Sequence, residues 1–92
     1  MITRQKLIFM PYAQATVIID DDNNITLRSY KTDVAFISAD GWLTVNGLYS
    51  ATTRKHISAF VKEYTVFNFA TAKMIYEKKL KINIYTGEIV DL

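Results

Sequence analysis

Cysteine is absent from this chain, so it has no disulfide framework, no thiol nucleophile and no thiolate metal site. There is one histidine, His56, and therefore no pair of imidazoles to share a metal or a proton. The three glycines, Gly41, Gly47 and Gly87, stand apart at turn positions, which excludes a glycine-rich loop cradling a phosphate. No apolar run approaches the roughly 20 residues of a membrane-spanning helix, and no signal-peptide core follows Met1. A soluble protein of the cytoplasm is the expectation, with no membrane partner. Charge of one sign is scarce too. Eleven basic residues against 9 acidic ones give a net +2, short of the excess that announces a nucleic-acid-binding domain.

What is present suits one globular domain, residues 1–92. Half the residues are hydrophobic and 13% are aromatic, enough for a modest core. The clearest local signal is the run Ser50–Tyr64. Ile57, Phe60, Val61 and Tyr64 recur at i, i+3, i+4 and i+7, one apolar stripe at helical period. Ser50 precedes the stripe, where a hydroxyl caps the first free amides. Thr53 falls on the stripe. His56 falls on its shoulder, where a lone histidine more commonly makes a structural hydrogen bond at the core edge than serves as ligand or base. Arg54, Lys55 and Lys62 point away as a basic ridge. Arg54 and Lys55 sit near the helix N-terminus, where the dipole favours anions instead. Ser50, Thr52, Thr53 and the free amides, with those cations, read either as an anion site or as caps beside a solvated face.

The remaining pattern is mostly β. Leu7–Met10, stopped by Pro11, reads as an edge strand or an N-terminal arm. Ala15–Ile19 and the alternating Ile25–Tyr30 form a hairpin around the turn formers Asp20–Asn24. That aspartate run is no EF-hand loop, because Ile25 stands where glycine is required and Lys31 where a bidentate glutamate is required. No metal and no cofactor is assigned. Val34–Ile37, nearly continuous in apolar character, reads as a central strand covered on both faces. Asp40-Gly41 turns the chain into Trp42–Asn46. Phe67, Ala70, Thr71 and Met74 predict a second helix over about Asn68–Glu77. Leu80, Ile82 and Ile84 alternate as a strand. Glu88–Leu92 reads as a short return strand, or else Asn83–Leu92 is a tail that orders on a partner. The expected class is α+β: an antiparallel meander of about four strands, a packed helix, a second helix and a C-terminal strand.

Two segments carry a resemblance. Ser29-Tyr30-Lys31-Thr32-Asp33-Val34-Ala35 has the form S-Y-x-T-x-V-A, and Ser50 to Ile57 has the form S-x-T-T-x-x-H-I. Over about Leu27–Tyr64 the chain resembles short uncharacterised proteins encoded by bacteriophages, prophages and plasmids of Firmicutes. The resemblance implies a mobile-element origin and carries over no catalytic or binding residue.

Catalysis has little to rest on. Ser50 and His56 are six positions apart on one helix and do not face each other as nucleophile and base would. Two binding functions remain. The favoured one is a small accessory protein that occupies and blocks a host protein or protein–nucleic acid complex, such as a nucleic-acid-processing defence complex. Tyr12, Tyr30, Tyr49 and Trp42 are its candidate interface aromatics, although a strand tryptophan is more commonly core. The alternative is direct DNA or RNA binding through Arg54, Lys55 and Lys62, with Arg28 and Lys31; steep salt dependence would mark it. A core this small also favours self-association as a homodimer.

Overall fold

Period-two alternation resolves into a single sheet. The computed structural model describes residues 1–48 and 50–92. Its elements are β1 (Thr3–Gln5), β2 (Ala15–Ile19), β3 (Ile25–Ser29), β4 (Thr32–Ile37) and β5 (Trp42–Val45). There follow α1 (Ala51–Tyr64), α2 (Phe69–Lys78), β6 (Leu80–Asn83) and β7 (Ile89–Asp91). The seven strands pair in chain order, each antiparallel to the next. The class is α+β. The chain leaves the sheet once, after β5, to make both helices, and returns to lay β6 against β5.

Both helices cover the same face. α1 rests on β3 and β4, α2 on β5 and β6, and the two pack on each other. Beneath them run two cross-strand rows of inward side chains. One is Val17, Leu27, Ala35 and Val45; the other is Ile19, Ile25, Ile37, Leu43, Ile82 and Ile89. Phe60, Ile57 and Val61 of α1 and Ile75 and Ala72 of α2 close over these rows and are fully buried. Burying a side chain of this size contributes about 1.5–3 kcal/mol, so the rows and the α1 stripe hold the fold together.

The helix ends follow from their caps. The Ser50 hydroxyl accepts from the Thr53 amide at 3.1 Å, and Asn68 caps α2 by accepting from the Thr71 amide at 3.3 Å. α2 stops at Lys79, which adopts the left-handed conformation (φ 56°) common after a last turn.

Three differences from the sequence reading have physical reasons. The sheet has seven strands because Thr3–Gln5 pairs with β2 although its side chains are exposed and show no apolar alternation. Leu7–Met10 is a turn, with Leu7 plunging into the core and the Met10 amide donating to the Leu7 carbonyl. At the C-terminus, where the sequence allows a return strand or a tail, Ile89–Asp91 takes the strand, because Asn83 ties the preceding turn: its Oδ1 accepts from the amides of Tyr85 and Thr86. The apolar run of β4 comes from a bulge and not from cover on both faces. Leu27 pairs with Ala35 but Arg28 with Asp33, so Val34 is an extra residue and is buried beside Ala35.

Candidate functional site

The inward position at the end of β3 is not apolar but Ser29, paired with Ala15 on one side and Thr32 on the other. It lies under the first turns of α1. The Ser29 Oγ is 2.8 Å from the His56 Nδ1 and 3.4 Å from the Thr53 Oγ1, whose hydroxyl is in turn 3.2 Å from the Ser50 Oγ. Ser29 is 2% exposed and His56 1%. His56 is therefore inside the core, deeper than the edge its shoulder position suggested. Burial holds its pKa below the usual 6.5. A serine hydroxyl on an imidazole is the contact of a nucleophile and base. Here both groups are sealed from solvent, and no carboxylate bonds the ring among the described residues. The arrangement satisfies buried polar atoms and locks α1 onto β3. Sequence spacing missed the pair, since 27 residues separate its members.

The other expected site residues scatter. Arg54, Lys55 and Lys62 are exposed on α1, but the Lys62 Nζ lies over the Phe9 ring, 4.7 Å from its centroid. Thr52 is exposed, and the Ser50 hydroxyl is taken by Thr53. Arg28 is paired with Asp33 at 2.7 Å on the sheet, and Lys31 lies exposed in the β3–β4 turn. Tyr49 lies outside the described residues. The aspartate run closes the β2–β3 turn. Asp20 accepts from the Asp22 and Asn24 amides and from the Asn24 side chain, which last holds its carboxyl below 3.8. Among the described residues no three acidic or histidine side chains converge as a metal site.

Tyr12 and Tyr30 do come together. They line an open cleft of about 480 Å³ at the β1–β2 edge, with Arg4, Lys6, Gln14 and Thr16 on its walls and no carboxylate. Tyr12 is 96% and Tyr30 58% exposed. The Tyr30 ring also leans on the His56 ring, with centroids 5.8 Å apart. Tyr30 occupies the left-handed backbone region at φ 55°, where a bulky residue is strained by about 1 kcal/mol. Such strain is kept where the side chain itself is needed.

The face of the sheet away from the helices carries a second surface. Arg4, Ile18, Thr26, Phe36 and Thr44 form one cross-strand row, flanked by Thr16, Arg28 and Asp33 on one side and by Trp42 on the other. Ile18, Phe36, Trp42 and Val90 are half-buried, yet none packs against the core cluster. The Lys81 Nζ sits over the Trp42 ring, 4.9 Å from its centroid. Arg4 and Thr16 belong both to this face and to the cleft, so the two are continuous. The sequence offers Trp42 as an interface aromatic or as core and does not single out Phe36; Trp42 faces outward with Thr44, two residues along β5, and Thr44 pairs with Phe36.

Fold and surface define a small α+β meander protein with one sheet face clothed by two helices and the other left open. The chain belongs to a family of unknown function (DUF8033), whose profile matches residues 1–83. The match stops at the end of β6, so the last turn and β7 lie beyond it. No curated protein and no solved structure matches the chain. No described helix is long and apolar enough to cross a membrane.

Proposed function

We propose that this protein is a small accessory protein of a mobile genetic element that acts by occupying and blocking a host macromolecule, without chemistry of its own. The observation that carries this reading is the uncovered outer face. Ile18, Phe36, Trp42 and Val90 stand half-buried there without packing on the core, with Lys81 beside Trp42, and aromatics beside cations are the side chains that anchor interfaces. The sealed Ser29–His56 pair supports a role in binding over one in catalysis. The S-x-T-T-x-x-H-I segment supports the mobile-element origin. Half its residues, Ser50, Thr53, His56 and Ile57, build the buried junction of α1 with the sheet.

The test is affinity purification of tagged protein from a bacterial host, with and without nuclease, for the native chain and two folded variants. One variant is Phe36→Ala with Trp42→Ala; the other is Arg54→Gln with Lys55→Gln. Loss of the captured partner in the first variant alone supports the outer face. Loss in the second alone moves the site to the α1 ridge. Equal capture by all three overturns both placements.

A further inference from the structure

We infer that the outer sheet face and the cleft at its β1–β2 edge form one track for single-stranded nucleic acid, an assignment that rests on the binding role proposed above and names its partner class. Single strands are held by aromatic rings on which bases stack and by cations that follow the phosphates. The outer face supplies both. Phe36 lies opposite Thr44, and Trp42 stands two residues along the same strand, so the two rings are diagonal neighbours about 7–8 Å apart at their backbones. That spacing separates two successive unstacked bases.

The charges fit a polyanion. Arg4 and Lys81 occupy outward positions as cations, while Arg28 and Asp33 among them neutralise each other. In the cleft, Arg4 and Lys6 have no ion-pair partner among the described residues, and the walls present Tyr12 and Tyr30 with no carboxylate. From Trp42 on β5 to Arg4 on β1 is four strand spacings, about 19 Å, in keeping with a footprint of roughly four nucleotides. The strained backbone of Tyr30 places its ring at the far end of this path. A small residue would suit the turn better, and the tyrosine is kept for its ring, which both leans on His56 and lines the cleft. A second protein copy fits the same face less well, because the cations would then oppose like cations across the interface.

The chain contains one tryptophan, Trp42, so quenching of its fluorescence reports stacking at the proposed site directly. Labelled 12-mers of deoxythymidine and of uridine are titrated at several salt concentrations, following anisotropy and Trp42 emission together. The track requires saturable quenching for at least one oligomer and an affinity that falls as salt rises. Phe36→Ala weakens binding about 5- to 150-fold, and Arg4→Gln flattens the salt slope by about one unit. Tyr30→Asn weakens binding while leaving the melting temperature unchanged or raised, a combination that loss of folding cannot produce. Circular dichroism melts accompany every variant.

Absence of binding or quenching by both oligomers at low salt overturns the track. Binding that survives Phe36→Ala and Arg4→Gln but is lost with Arg54→Gln and Lys55→Gln overturns it in favour of the α1 ridge. A native dimer that Phe36→Ala dissociates in sedimentation overturns it in favour of a second copy. In the host purification, a nuclease-resistant protein partner lost with Phe36→Ala and Trp42→Ala would retain the proposed blocking role while refuting the nucleic-acid track.

Discussion

Replacing Ser29 by alanine tests the polar junction between α1 and the sheet. The Ser29 Oγ lies 2.8 Å from the His56 Nδ1, and both residues are almost wholly buried. Alanine removes one oxygen and leaves a desolvated ring nitrogen without its partner. A buried group deprived of its hydrogen bond costs about 1–3 kcal/mol, against a total stability of roughly 5–15 kcal/mol for a domain. Urea denaturation at pH 7.5, followed by Trp42 fluorescence and circular dichroism, should show a loss in that range with an unchanged m-value. His56→Phe, which fills similar volume without the nitrogen, should be partly non-additive with Ser29→Ala, with a coupling of about 1 kcal/mol. A loss below about 0.5 kcal/mol, the size of an ordinary surface substitution, would refute the assignment of the contact as a buried hydrogen bond.

The same junction sets a pH dependence. Burial disfavours the imidazolium, so His56 titrates below 6.5 in the native state. The unfolded chain takes up a proton near pH 6.5 that the folded chain refuses. The stability tied to the neutral ring is thus complete above pH 6.5 and declines as pH falls below it. Asp20, held under 3.8 by its bond to Asn24, contributes stability that is lost only at lower pH, so the two windows separate. His56→Phe should flatten the decline between pH 6.5 and about 5. A decline that persists unchanged in this variant would assign it to another group.

Three other outcomes are expected. Phe60→Ala removes the fully buried centre of the α1 stripe and should cost about 3–5 kcal/mol in denaturant titration; a loss under about 1 kcal/mol, less than the transfer of a buried ring alone, would mean the stripe is not the core face. Ser50→Ala removes the cap on the Thr53 amide and a hydroxyl contact to Thr53, and should lower stability by about 0.5–2 kcal/mol with the fold retained by circular dichroism. Replacing Arg54, Lys55 and Lys62 together by glutamine should change thermal stability by no more than about 1 kcal/mol. The loss of the Lys62–Phe9 contact, about 0.5–1 kcal/mol, is offset by removing two cations from a helix N-terminus.

What the sequence disclosed was local. The α1 stripe, its Ser50 cap, the β2–β3 hairpin and the second helix are all written within windows of a dozen residues or so, where side-chain period and turn chemistry act directly. What it concealed depended on pairing. Thr3–Gln5 has no apolar period and becomes a strand only because β2 offers an edge. Ser29 looked like the polar end of a strand until α1 folded over it and brought His56 within 2.8 Å. Tyr12 and Tyr30 were legible as exposed aromatics, but not the cleft that joins them to Arg4 and Lys6. The left-handed Tyr30 gave no signal, because nothing in the residue type announces a conformation that it disfavours.

The outer face owes its character to one inserted residue. On a regular strand, positions 33 and 36 differ by an odd number and must point to opposite faces. The extra Val34 breaks that parity, so Asp33 meets Arg28 and Phe36 meets Thr26 on the same outward side while Val34 and Ala35 stay buried. Without it, either Asp33 would enter the core as an unpaired carboxylate or Phe36 would leave the outer row. Helix supply explains why that side stays open. Seven strands span about 29 Å across six spacings, whereas the 14-residue α1 and the 10-residue α2 are each about 10 Å wide. Two such helices side by side barely roof one face, and both follow β5 onto it. The opposite face is left to threonines, the Arg28–Asp33 pair, the cations Arg4 and Lys81 and two aromatic rings in a fixed register, and it is on this face that the proposed binding role rests.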